Sequence, residues 1–236
     1  STSEWAFEQS EVRALQDDGL SGEGVRVCMV DTGISLTHTS LEDAEVVFKD
    51  FVGNSAEPED YGSISHGTLM VGILMSNDYQ IGIAPNVTLG MAAALSANGD
   101  NNTGSETRVG DAIRWCIFDF EADIISLSLG GEQDQSASRE GPAVSATRQA
   151  IDAGIFVVAA AGNDGGPTDD GFVSAPGNVD LAITVGASGR DGSVWSQSSM
   201  GEPMDSDGNQ RVYPHQKPEL TAPGVGIVST GKDNQW

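Results

Sequence analysis

Apolar stretches of strand length alternate along the chain with stretches of helical period. "VRVCMV" (25–30), "VTLGMAAAL" (87–95), "DIISLSL" (123–129), "IFVVAAA" (155–161) and "LAITVGA" (181–187) read as strands, largely apolar on both faces. "GTLMVGILM" (67–75) is apolar almost throughout and predicts a buried helix. "ETRVGDAIRWCIFDF" (106–120) places Val109, Ile113, Cys116 and Ile117 at helical spacing, and "GPAVSATRQAIDAG" (141–154) predicts a helix closed by Gly154. Strands buried on both faces and joined by helices predict an α/β fold: a parallel β-sheet with helices on both faces. No Pro/Ser-rich linker or internal repeat divides the 236 residues, so a single domain spanning 1–236 is expected.

Charge changes the picture more than size does. The chain carries 35 acidic and 11 basic residues, a formal net charge of −24. Binding nucleic acid through its phosphates, or docking on anionic membrane, is excluded as a primary role. The acids are scattered (Glu42-Asp43, Glu57, Glu59, Asp60, Asp169-Asp170) and read as a solvated, salt-adapted surface. No apolar run reaches the length of a membrane span. The first residues lack the basic start and apolar core of a signal peptide, which leaves the compartment open with an extracellular setting as the better fit. Cys28 and Cys116 show neither metal spacing nor a disulfide framework, and both are expected as small buried apolar residues.

In a parallel sheet ligands gather at the carboxyl ends of the strands. Three of the polar residues there have chemistry to offer. Asp31 ends the first strand, His66 heads the buried helix, and Asn163 follows Gly162 at a sharp exit. Each alone would be a cap, a core histidine or a turn. Together they are an acid to orient an imidazole, an imidazole to move protons, and a carboxamide to donate to an oxyanion. A helix N-terminus should also disfavour the protonated form of His66.

Five segments then carry a resemblance. "VDTGI" (30–34), "HGTLMVGI" (66–73), "ISLSLGG" (125–131), "VVAAAGND" (157–164) and "ELTAPGVGIVST" (219–230) resemble, in order and spacing, the signatures of the subtilisin-like serine peptidases. The resemblance covers the whole chain. It implies that Asp31 is the triad acid, His66 the triad base and Asn163 the oxyanion amide. Ser128, Leu129 and Gly130 would pair with an extended polypeptide substrate. Ala160, Ala161 and Gly162 would wall the pocket for the residue before the scissile bond, with Ser174 at its floor. His38 matches a structural histidine, while His215 falls in a polar insertion. The loop "LSANGDNNTG" (95–104) reads as a flexible second edge.

The family's nucleophile belongs to a Gly-Thr-Ser-Met-Ala-type motif, and neither Gly-Thr-Ser nor G-x-S-x-G occurs here. Ser63, Ser65, Ser198 and Ser199 are poor substitutes. The expectation is that the attacking serine lies beyond residue 236, on a complementary C-terminal fragment that binds tightly. Without it residues 1–236 should be inactive and poorly stable. The competing reading is an inactive module of the same fold that binds peptides on the Ser128–Gly130 edge. Calcium remains a possible cofactor, although the loop "MSNDYQ" looks shortened and leaves Asn77 and Asp78 as weak ligands.

Overall fold

A computed structural model describes residues 3–78, 80–131, 141–167, 171–201, 209–210, 212 and 216–236. The expected α/β fold is present. Two short helices, α1 (Glu4–Gln9) and α2 (Val12–Asp17), precede β1 (Arg26–Asp31) and β2 (Val46–Asp50). Helix α3 (His66–Met75) leads to β3 (Thr88–Ala93), and a hairpin of β4 (Ser96–Asn98) and β5 (Asn101–Thr103) follows. The chain continues through α4 (Glu106–Phe118), β6 (Ile124–Leu127), α5 (Pro142–Asp152), β7 (Phe156–Ala160), β8 (Ile183–Ser188) and β9 (Leu220–Pro223). Seven strands form one parallel sheet in the order β2-β3-β1-β6-β7-β8-β9. From β1 the chain builds outward on one side and then, through β6, on the other. The point where the order reverses lies beside Asp31, where such folds form their ligand crevice.

Strand β1 is apolar on successive positions because it packs two ways. Cys28 and Val30 face α4 and α5, joining Ile113, Cys116, Ile125 and Val157. Val27 and Met29 face α3, joining Ile34, Val71, Leu89 and Met91. Helix α4 starts with a cap, the Ser105 hydroxyl accepting the Arg108 N–H at 3.2 Å. Helix α5 starts with Pro142 and stops where Gly154 turns to φ +84°.

The two cysteines correct the sequence reading. Cys28 and Cys116 form a disulfide, their Cα atoms 5.8 Å apart, joining β1 to α4 inside the core. A separation of 88 residues carries no motif, and only the packing of α4 on β1 brings the thiols together. On the chain-entropy account a closure of this length contributes roughly 4–5 kcal/mol.

The far side of the sheet is different. In β6, β7 and β8 buried and half-buried residues alternate, so one face is covered and the other is not. The register places Ile124, Phe156, Val158, Ile183, Val185, Ala187 and Leu220 together on the open face, continuous with Val27 and Met29 beneath α3. Phe156 is 64 % exposed and Leu220 47 %. Among the described residues no helix lies over this part.

Candidate active site

Asp31 is the last residue of β1, 1 % exposed, and one carboxylate oxygen accepts the N–H of Thr32 at 2.7 Å. His66 is the first residue of α3, and its Nδ1 lies 2.8 Å from Oδ1 and 3.0 Å from Oδ2 of Asp31. The chain makes this contact by crossing itself closely. A Cβ on Gly67 would stand 2.0 Å from the Gly33 carbonyl oxygen, so any larger residue there would push α3 off the exit of β1.

Asp60, assigned from sequence to the solvated acids, is buried and belongs to this arrangement. One oxygen accepts the Thr32 hydroxyl at 2.7 Å and the Gly62 N–H at 2.9 Å. The other accepts the Thr68 N–H at 2.9 Å and the Thr68 hydroxyl at 2.6 Å. Its signal in the sequence was only its nearness to His66. Burial comes from partners 28 and 8 residues away.

The imidazole pKa also corrects an expectation. Burial lowers it, but the hydrogen bond to Asp31 and the charges of Asp31 and Asp60 together outweigh burial, and the net shift is upward. The helix N-terminus does not prevail against two carboxylates.

His66 opens into a cleft of about 430 Å³. Asn163 lines the same cleft, as do Ser128, Leu129 and Gly130 on one side and the β4–β5 hairpin on the other. The segment 95–104, expected as a flexible loop, is therefore a built edge: an antiparallel hairpin whose Asn102 accepts the Ser63 N–H at 3.0 Å. Val109, Ala143 and Val144 form an apolar end. Of the residues expected at the pocket for the residue before the scissile bond, Ser174 packs behind Gly130, which lines the cleft, and against Gly162. Ala161 accepts the Ser174 N–H at 2.6 Å, and a Cβ on Gly162 would lie 2.2 Å from the Ser174 hydroxyl. Gly162 sits at φ +111°, which sends Asn163 toward the cleft.

The other candidates lie away from the pair. His38 is buried, its Nδ1 accepting the Ser40 N–H at 3.1 Å, its ring edge-on to Trp236 at 4.6 Å, its pKa lowered by burial. Ser198 and Ser199 are buried and accept the N–H groups of Ala187 and Asp164. His215, Asp169 and Asp170 lie outside the described residues. Among the described residues no group of three His, Cys, Asp or Glu side chains could hold a metal, and Asn77 and Asp78 are exposed. The segment after α3 is tied by buried Gln80, which accepts the Ser3 N–H at 2.9 Å and donates to the Val228 carbonyl at 3.1 Å.

A sequence profile described as the subtilase family matches residues 22–235. The chain belongs to the subtilase family. It is 34 % identical to serine protease AprX of Bacillus subtilis over 98 % of its own length, spanning 53 % of that protein. It is 31 % identical to Subtilisin DY of Bacillus licheniformis, over 94 % of this chain and 72 % of that one. The chain thus spans about half the length of AprX. A cold-adapted subtilisin-like serine proteinase superposes with a TM-score of 0.72 at 27 % identity, covering 92 % of this chain and 68 % of that one. The prenylagaramide maturation protease PagA shares the fold, with a TM-score of 0.72 at 19 % identity over 93 % of this chain and 70 % of that one.

Proposed function

We propose that residues 1–236 form the larger part of one serine endopeptidase domain that cleaves polypeptides through an acyl-enzyme intermediate. The observation that carries this is the Asp31–His66 contact at the strand switch point, opening into a cleft that Asn163 shares. An extended peptide lies along Ser128–Gly130, its backbone pairing as an added strand. A serine hydroxyl attacks the scissile carbonyl carbon and its proton passes to His66 Nε2. Asp31 holds Nδ1–H and stabilises the imidazolium. The carbonyl oxygen becomes an oxyanion and accepts a hydrogen bond from the Asn163 amide. Collapse expels the amine, which takes the proton back from His66; water then repeats the sequence to release the acid.

The nucleophile comes from a segment outside these residues. Two observations support this: Gly-Thr-Ser is absent from the chain, and the open apolar face of β6–β9 calls for a covering element. A complementary segment seated there would bring its serine toward His66. The test is hydrolysis of a denatured protein by the purified full-length protein. Hydrolysis that disappears in His66→Ala and Asp31→Ala supports the proposal. Peptide binding without cleavage in the wild type would instead favour the inactive module.

A further inference from the structure

Both members of the His–Asp pair are followed in sequence by residues that converge on one carboxylate. Thr32 follows Asp31, and Gly67 and Thr68 follow His66; Thr32 and Thr68 meet at Asp60, and Gly67 is tied to it through the Thr32 hydroxyl. The Thr32 hydroxyl donates to Asp60 at 2.7 Å while its oxygen accepts the Gly67 N–H at 2.9 Å. Thr68 donates twice to the other Asp60 oxygen, at 2.9 and 2.6 Å. Its own oxygen accepts the Ser35 N–H at 2.9 Å. The backbone repeats the tie: Tyr61 N–H donates to the Thr32 carbonyl at 2.8 Å, and Ile34 N–H to the Glu59 carbonyl at 3.2 Å.

This arrangement has a local cause. Helix α3 begins without a cap of its own, because Ser65 is in the left-handed region at φ 54° and its side chain bonds no helix N–H. The first-turn N–H groups of Gly67 and Thr68 are satisfied from outside the helix, by Thr32 and Asp60. The start of α3, and with it the His66 ring, is therefore located relative to β1 by a buried carboxylate carrying four hydrogen bonds. Catalytic geometry is sensitive to such placement, about 1 Å being enough to lose roughly 10²-fold in rate.

We infer that Asp60 is a positioning residue for the proton-transfer pair, fixing His66 against Asp31 through Thr32 and Thr68. The inference rests on the reading of Asp31 and His66 given above, but its test needs no turnover. Strong Nδ1–H···carboxylate bonds give a low-field proton resonance, which His66→Ala would assign. In the full chain, Asp60→Asn and Thr32→Val are expected to lose or broaden that signal while circular dichroism and amide dispersion stay native. Thr32→Ser, which keeps the hydroxyl, is expected to retain it. A signal that survives unchanged in folded Asp60→Asn and Thr32→Val, or one absent from folded Thr32→Ser, overturns the inference. If Asp60→Asn does not fold, the two Thr32 variants decide by the same readout. A wild-type protein that shows the resonance but hydrolyses nothing would count against the peptidase reading alone.

Discussion

The two halves of the sheet are built from similar apolar residues and finished differently. Around β1, both faces are covered, a disulfide joins strand to helix, and the buried Asp31 and Asp60 have their oxygens bonded. From β6 to β9 one face is packed and the other exposes Phe156 and Leu220. The closed half holds the Asp31–His66 pair and the buried carboxylate beside it. On the function proposed above, the open half offers surface to the segment that completes the site. Precision in this molecule is concentrated where titratable groups meet, not spread through the fold.

That contrast can be broken at its chemical centre first. His66→Ala should lower kcat on the order of 10⁶-fold, a magnitude known from the corresponding removal in subtilisin rather than one derived from this geometry. Asn163→Ala, which leaves the base intact, should lower kcat roughly 10²–10³-fold with a smaller change in KM, again a scale taken from subtilisin. Steady-state kinetics on a peptide amide checks both. Removing the disulfide by Cys28→Ala with Cys116→Ala should cost roughly 2–5 kcal/mol in urea unfolding. A loss under about 1 kcal/mol would mean that packing, not the cross-link, holds α4 on β1.

Two smaller effects sharpen the comparison. The raised His66 pKa means that the base is lost by protonation above the ordinary value of 6.5. The acid limb of kcat/KM should therefore lie above pH 6.5, and a limb below about 6 would contradict the geometry. The stability linkage has the opposite sense. The contribution of protonated His66 is complete below the unfolded value and is lost as pH rises through the folded one. On the open face, Val158→Asp in the 236-residue chain should change unfolding free energy by under about 1 kcal/mol, whereas Met29→Asp beneath α3 should cost more than about 3 kcal/mol.

Legibility in sequence followed the burial of each strand and not the division between the halves. Strands β1, β3, β6, β7 and β8 announce themselves because sheet burial demands apolar runs. Strand β2, "VVFKD", alternates toward solvent through Val47 and Lys49, and β9, "LTAP", is a short edge strand ending in proline, so neither has that signature. Asp31, His66 and Asn163 were visible because each punctuates an apolar run. Asp60 was not, since an acid among Glu57 and Glu59 looks solvated until Thr32 and Thr68 fold over it. The cysteines failed in the same way. A disulfide between a strand and a helix 88 residues on exists only in three dimensions.

The central claim is that the Asp31–His66 pair serves a serine carried by a segment outside these residues. The most direct measurement is reaction of the full-length protein with a fluorophosphonate probe, followed by peptide mapping in wild type and His66→Ala. The account predicts one modified serine, outside residues 1–236, whose labelling disappears in His66→Ala. Labelling of a serine within 1–236, or hydrolysis that persists with no serine labelled, would contradict it.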